Sequence, residues 1–204
     1  MKTKSGWVIL GLAVWMGCDA GNASPGKIVL PPMSAVDESL PKVAHPEYVN
    51  WSQFEEKDFV VRKRLVTNAS GTVVVITKSW LDKKEPDRVS VGSQVTVERP
   101  NEPIVENDEN IVSYPATYRL PAGMDEARFL LPSAKAKETG TETVKIGETE
   151  FETKIFEWEE SSEAGPTSVK LWRSEAIPGK IVRQEMFTKQ IETKSTEEII
   201  ELKL

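Results

Sequence analysis

The stretch TETVKIGETEFETKIFEW, residues 141–158, decides the fold class of this chain. A period of two between apolar and polar residues is that of a half-buried strand. A two-residue Gly-X turn between two such runs is the type II′ hairpin pattern. The stretch therefore predicts an antiparallel hairpin that turns at Gly147-Glu148, with these apolar or half-buried residues around it: Val144, Ile146, Phe151, Thr153 and Ile155.

The same period recurs through most of the chain after residue 58. An Asn-Ala-Ser-Gly loop at 68–71 predicts a second hairpin between its flanking runs, and Pro115 marks an interrupted edge strand. Gly92 lies inside a strand-like run, where it predicts a bulge or a bend. The strand-like runs are residues 58–66, 72–80, 87–98, 110–120, 141–158, 166–174, 179–187 and 197–204, and the short helical patterns are 46–54 and 124–131.

These elements predict a mainly β fold. About nine strands joined by short turns form an antiparallel sheet, and their alternation leaves one face buried and one face in solvent. A sheet of this kind must cover its apolar face by curling, by a second sheet or by helices. We therefore expect a strongly curved antiparallel sheet, an open barrel or a sandwich, with one or two short helices packed on one side or at its mouth.

Composition excludes several classes of protein. The chain has 204 residues, 39% hydrophobic and 28% charged, which fits one soluble domain with tails. Its formal charge of -6 repels phosphate backbones, so nucleic acid is not an expected partner. A single cysteine, Cys18, excludes an internal disulfide.

That cysteine directly follows an apolar run. Lys2 and Lys4 form a short basic region, and residues 6–17 carry no charge. A helix of this length falls short of the ~30 Å hydrocarbon core of a bilayer. The run therefore predicts the apolar region of a signal peptide.

Gly17 and Cys18 make this segment resemble the signal peptides of bacterial lipoproteins. The resemblance implies that diacylglycerol is attached to Cys18, that the chain is cut between Gly17 and Cys18, and that the protein faces the periplasm or the exterior from a membrane of the cell envelope. Anchoring by more than one acyl chain is stable. The expected organisation is a signal peptide at 1–17, a lipidated leader and flexible tether at 18–45, and a β-domain at 46–204.

Catalytic and metal-binding patterns are not expected in this chain. The only histidine, His45, lies beside a proline in the predicted tether and is interpreted as a solvated loop residue. A catalytic triad needs its histidine on a rigid scaffold, and zinc needs about four His, Cys or carboxylate ligands. Glu150 and Glu152 fall on the solvated face of a strand, and Glu157, Glu159 and Glu160 are expected at or beyond its end. No enzyme activity, cofactor or metal is therefore predicted.

Three tryptophans on predicted strands, Trp80, Trp158 and Trp172, are the candidate ligand-binding residues. They could line an apolar pocket for a lipid, although such residues more often fill a core. The stretch VKLWRSEAIPGKIVRQE, residues 169–185, is similar in layout to curved-sheet lipoproteins that carry lipidated cargo through the periplasm. That resemblance implies a carrier fold and transfers no functional residues.

Three functions follow, in order of preference. The first is a lipid-anchored envelope protein that acts as a non-catalytic binding or structural module. The second is a periplasmic carrier or sensor of an apolar ligand or lipid held in the curved sheet. The third is a hydrolase that uses paired carboxylates. The expected partners are the membrane, through the N-terminal lipid, and either an apolar ligand or another envelope protein.

Overall fold

The computed structural model describes residues 40–120 and 125–204. Within these ranges the chain forms twelve β-strands, two short α-helices and one 3₁₀ turn, Lys189–Ile191. The helices are α1 (Pro46–Trp51) and α2 (Glu126–Leu130). The strands are β1 (Lys42–Ala44), β2 (Phe59–Asn68), β3 (Gly71–Glu85), β4 (Arg88–Glu98), β5 (Val105–Glu106), β6 (Asn110–Pro115), β7 (Thr117–Arg119), β8 (Lys137–Ile146), β9 (Thr149–Ser162), β10 (Gly165–Arg173), β11 (Ile181–Thr188) and β12 (Thr193–Lys203).

Ten of these strands form one antiparallel sheet. Its order is β5-β4-β3-β2-β12-β11-β10-β9-β8, and β6 pairs with β4 beside β5. The two ends of this order do not pair with each other, so the sheet does not close into a barrel. Strands β1 and β7 form a separate antiparallel pair. The predicted fold class is confirmed: a mainly β protein with a large curved antiparallel sheet and two short helices.

Both predicted hairpin turns are present. Ile146 pairs with Thr149, so Gly147 and Glu148 form a two-residue turn. Gly147 has a φ of +58° and Glu148 has no positive φ, which is the type II′ combination. In the other hairpin Asn68 pairs with Gly71, and the Asn68 side chain accepts a hydrogen bond of 2.8 Å from the Ser70 amide.

Pairing between β12 and β2 joins the two halves of the sheet. Strands β2, β3 and β4 form one meander, and β8 to β12 form a second. The last strand lies between β11 and β2, with Lys203 opposite Phe59 and Lys194 opposite Thr67. The C-terminal strand is therefore central in the sheet.

The inner face of the curve is filled by side chains. One cluster lies between α1 and β2–β4 and contains Trp51, Phe54, Val60, Leu81, Val89 and Val91. A second contains Phe151, Trp172, Ile177 and Val182, and both include Ile199 and Leu202 of β12. Val144 and Ile146 of β8 also pack in the second cluster. Because three strands separate β8 from β12 in the sheet, a cluster that contains both strands requires the sheet to curve toward this face.

A third cluster buries the opposite face of β9 and β10. Phe156 and Leu171 are cross-strand partners and pack with Ala136. Phe156 follows Ile155 and Leu171 precedes Trp172, and both of these neighbours pack in the second cluster. Consecutive residues in a strand point to opposite faces. Both faces are therefore covered here, whereas the sequence predicted one solvated face.

Three boundaries differ from those predicted. The folded part begins earlier, because Lys42–Ala44, at the end of the predicted tether, forms β1. The irregularity near Gly92 lies in β3 instead, where the register shifts between Leu81 and Lys83. Strand β9 extends to Ser162, so Glu157, Glu159 and Glu160 lie on the strand.

Candidate functional site

The three candidate tryptophans do not share a pocket. Trp158 pairs with Val169, and Trp172 pairs with Ile155 on the same two strands. Cross-strand partners share a face of the sheet. Ile155 and Trp158 are three residues apart on β9 and therefore point to opposite faces, so Trp172 and Trp158 also lie on opposite faces. Trp80 lies on β3 in the other half of the sheet.

Trp172 is a core residue of the inner face. Its side chain is 4% exposed and packs in the second cluster. The Lys170 ammonium lies 5.1 Å from the ring centroid, and the Arg183 guanidinium carbon lies 4.7 Å from it. The indole N–H donates a hydrogen bond of 2.7 Å to the Glu142 carboxylate. Two cations and one carboxylate contact the indole, so most of its surface is already covered by protein.

Trp158 is half-buried in the third cluster. Its indole N–H donates a hydrogen bond of 2.7 Å to the Glu160 carboxylate at an exposed position. This contact is the amphipathic arrangement expected of a tryptophan at a core boundary, with its ring in apolar surroundings and its N–H near solvent.

Trp80 covers a glycine on the next strand. Gly92 is its cross-strand partner, and a Cβ atom at Gly92 would overlap Cε2, Cζ2 and Nε1 of the indole. The absence of a side chain at position 92 therefore lets the indole lie flat on the strand. Phe59 on β2 and Ile111 on β6 extend the same row, which runs Phe59, Trp80, Gly92, Ile111 across four strands.

An open groove of about 830 Å³ lies along β8 to β11, and its lining includes the apolar side chains of Trp158, Val169, Met186 and Phe187. Its residues include a cross-strand row of alternating charge, Lys137, Glu157, Lys170 and Glu185, on β8 to β11. Lys170 and Glu157 form an ion pair of 3.1 Å. We call this groove the polar trough. The charged row suits a polar ligand, because unsolvated charges are costly. Trp158 is the candidate tryptophan that lines this groove.

A second open groove, of about 610 Å³, lies between the α2 region and β8–β10. Leu130, Leu131 and Phe156 contribute apolar surface. The remaining lining is largely charged: Glu138, Glu142, Glu152, Lys154, Arg173 and Glu175. This groove is also open, and Arg173 donates a hydrogen bond of 2.9 Å to the Leu130 carbonyl at its rim.

The interior between α1 and the sheet is closed by the loop 174–180. Asn50 on α1 is fully buried and binds this loop three times. Its side-chain amide donates to the Glu175 and Ile177 carbonyls, both at 3.0 Å, and its carbonyl accepts from the Gly179 amide at 2.7 Å. These bonds hold the fully buried Ile177 in the second cluster.

Arg62 on β2 fixes the other side of the same loop. Its guanidinium donates to the Pro178 carbonyl at 2.6 Å and to the Ile181 carbonyl at 2.9 Å. Burial lowers the pKa of Arg62 to about 10, and the charge of Glu197 partly opposes this effect. Glu197 is itself paired with Arg64 at 2.5 Å. The loop is therefore held by buried polar groups from two elements that are distant in sequence.

Sequence reasoning missed Asn50 and Arg62. A signal for Arg62 existed, because period-two alternation puts it on the face of the buried Val60. Asn50 has no such signal, since a polar residue between Val49 and Trp51 in a short helix is equally compatible with solvent.

His45 was expected to be a solvated loop residue, but in the structure it is packed against other side chains. It caps α1, and its Nδ1 accepts a hydrogen bond of 3.2 Å from the Glu47 amide. Its ring centroid lies 5.3 Å from that of Tyr114 and 5.7 Å from that of Tyr118. Burial lowers the pKa of His45. The contact with Glu47 and the two tyrosines makes this histidine a structural residue.

The described ranges give no metal or membrane-spanning element. No group of three or more His, Cys, Asp or Glu side chains in residues 40–120 and 125–204 is placed to hold a metal ion. In the same residues, no helix has both the length and the apolar character needed to cross a bilayer. Gly17 and Cys18, the predicted cleavage and lipidation positions, lie outside the described residues.

Comparison with known proteins gives distant structural similarity only. No protein-family model matches the chain, and no curated protein matches it. Among solved structures, it is similar to a Bacteroides fragilis protein described as exported and as having a YmcC-like fold, with 12% identity over 74% of this chain and 97% of that chain and a TM-score of 0.45. A protein from Parabacteroides distasonis described as a lipoprotein has 16% identity over 73% and 96%, with a TM-score of 0.42. An outer membrane lipoprotein-sorting protein domain from Vibrio parahaemolyticus has 10% identity over 78% and 91%, with a TM-score of 0.28. These values do not define a family for this chain.

Proposed function

We propose that this chain is an exported, lipid-anchored protein of the cell envelope that acts as a non-catalytic binding or structural module. The single observation that carries the choice over a lipid carrier is the filled interior. Ile177 and the loop 174–180 occupy the space between α1 and the inner face, where a carrier needs a cavity of some hundreds of Å³.

The open grooves support the same choice. The polar trough offers alternating charges to a ligand, and Trp172 is held by Lys170, Arg183 and Glu142. An apolar ligand placed there would desolvate several charged groups without replacing their hydrogen bonds. An open surface that carries such a charged row fits interaction with another macromolecule better than storage of a lipid.

The lipid anchor is tested by the variant Cys18→Ser in the native host. We expect the variant to take up no labelled fatty acid, to leave the membrane fraction and to accumulate as uncut precursor. Ser24→Ala, six residues further along the same leader, is the matched control and should behave as the wild type. Membrane association of a processed Cys18→Ser protein would contradict the anchor.

The carrier alternative is tested by mass spectrometry of organic extracts from the purified protein. The expected result is no stoichiometric lipid beyond the chains attached at Cys18. A lipid recovered at about one per protein from the Cys18→Ser form would overturn the module and favour the carrier, because that form has no covalent acyl chain to account for it.

A further inference from the structure

The two edges of the large sheet have opposite character. At one edge, β8 carries Lys137, Glu138, Glu142 and Lys145, and its register shifts between Glu138 and Gly140. Charges and bulges on an edge strand hinder pairing with further strands. The other edge is formed by β5 and β6, and β6 contains no charged residue.

The β6 edge is apolar on both faces. Ile111 is 55% exposed and Val112 is 38% exposed. Consecutive strand residues point to opposite faces, so each face presents one large apolar side chain at this edge. In the adjoining segment, Ile104 and Val105 are also exposed. Within the described residues, no strand pairs with the outer side of β6.

Ile111 also extends an existing apolar row. It is the partner of Gly92, over which the Trp80 indole lies, and Phe59 is the partner of Trp80. A strand added outside β6 would place a side chain next to Ile111 and continue this row. Cross-strand pairs of aromatic and aliphatic residues are the units that stabilise a sheet.

The charge around this edge defines the partner. Residues 103–118 contain three carboxylates, those of Glu106, Asp108 and Glu109, and no lysine or arginine, and the next residue, Arg119, donates to the Leu40 carbonyl at 3.0 Å. All three are exposed. Arg88, at the far end of β6, is already paired with Asp87 at 3.0 Å. A segment that pairs here gains most if lysine or arginine side chains flank its apolar residues.

We propose that the outer edge of β6 is a docking site for an extended segment of another protein, which adds to the sheet as a further strand and carries lysine or arginine beside its apolar residues. Strand addition to an exposed edge is a general mode of peptide recognition, in which main-chain hydrogen bonds give affinity and flanking side chains give specificity. The six-residue length of β6 sets the length of the paired segment. The proposal rests on the proposed function, since it names the partner-binding surface of that module.

The experiment uses the full chain and a fluorescent peptide with the order lysine, valine, threonine, valine, threonine, valine, lysine. A second peptide with glutamate in place of both lysines is the charge control. Binding is measured by anisotropy at low and high salt, and hydrogen exchange of the β6 amides is followed with and without peptide. We expect the basic peptide to bind, its binding to weaken as salt rises, and exchange of the amides of residues 110–114 to slow. The acidic peptide should bind much more weakly.

Variants locate the site. Ile111→Lys should weaken binding by at least about tenfold, the effect of losing one anchoring contact. Ile200→Lys is the matched control, because Ile200 is 49% exposed but lies on the central strand β12. The triple variant Glu106→Gln, Asp108→Asn, Glu109→Gln should weaken binding by about threefold or more and reduce its salt dependence. Thermal unfolding checks that each variant is folded.

Three results would overturn the proposal: equal binding of the basic and acidic peptides, absence of binding by the basic peptide, or unchanged binding by folded Ile111→Lys. Concentration-dependent dimerisation that Ile111→Lys abolishes would also overturn it, since the edge would then belong to a second copy of this chain. None of these results affects labelling of Cys18 or the lipid extracts, so failure of the docking site and failure of the proposed function can be distinguished.

Discussion

Replacement of Asn50 by alanine tests whether the loop 174–180 is held by the buried amide on α1. The substitution removes two hydrogen bonds of 3.0 Å and one of 2.7 Å. A typical intramolecular hydrogen bond contributes about 1 kcal/mol net, and a buried group left without a partner costs about 1–3 kcal/mol. We expect the free energy of unfolding to fall by about 2–4 kcal/mol, because water can reach only some of the three partners once the side chain is gone.

Urea denaturation followed by tryptophan fluorescence measures this loss. With a slope of about 2 kcal/mol per molar urea for a chain of this size, the midpoint should fall by about 1–2 M. Hydrogen exchange should also accelerate at the Lys180 amide, which is bound to the Ile177 carbonyl. Gln53→Ala is the control, because Gln53 is exposed, lies just beyond α1 and donates its side-chain hydrogen bond to the nearby Val49 carbonyl. It should change the stability by less than about 0.5 kcal/mol.

Asn50→Asp adds a directional test. The aspartate carbonyl oxygen can still accept from the Gly179 amide, but an ionised carboxylate cannot donate to the two carbonyls that Asn50 binds. Its pKa in the folded state should lie above the unfolded value, so stability is present at low pH and is lost as the pH rises through the folded pKa. The reasoning would be refuted if Asn50→Ala lost less than about 1 kcal/mol of stability, or if the stability of Asn50→Asp did not change with pH.

Three other perturbations test separate contacts. Gly92→Ala should lower the free energy of unfolding by about 1–3 kcal/mol, because the added Cβ displaces the Trp80 indole. In a double-mutant cycle, the same substitution should cost less in the Trp80→Ala background. Equal costs in both backgrounds would contradict the contact. Arg62→Ala should lower the free energy of unfolding by about 2–4 kcal/mol, because it leaves two carbonyls without donors. The control Lys63→Ala should change the denaturation midpoint little. Similar midpoints for both variants would refute the role of Arg62. Because burial lowers the pKa of His45 in the folded state, the unfolded chain binds the proton more readily, and stability should fall as the pH drops below about 6.5 toward the folded pKa. His45→Gln should flatten this part of the curve of urea midpoint against pH, and an unchanged curve would count against the assignment.

Local chemistry explains what could be read from the sequence. The turn at Gly147 requires a positive φ, and alternation on both sides of it fixes which residues face the core. The loop after Asn68 has comparable chemistry, since its side chain binds the turn backbone. Hairpins of this kind are specified by residues that are close in sequence, so the meanders could be predicted.

Long-range pairing left no local signal. Nothing in β2 identifies β12 as its partner, because both are alternating runs with many possible partners. The tryptophans illustrate the same limit. Ser162 pairs with Gly165, which sets the β9–β10 register and puts Trp158 and Trp172 on opposite faces. The acidic run before that turn has no apolar alternation, so the end of β9 could not be located and the shared pocket could not be excluded.

The central position of the C-terminal strand governs how the polypeptide reaches its native state. Synthesis delivers the N-terminal meander first, yet its outer strand β2 acquires its second neighbour only when the final eleven residues of β12 have emerged. Until then β2 and β11 are transient bare edges, exposed to aggregation. Pairings between such distant parts of a chain form slowly. A stop codon between β11 and β12, at residues 189–192, would therefore leave two meanders that no strand joins.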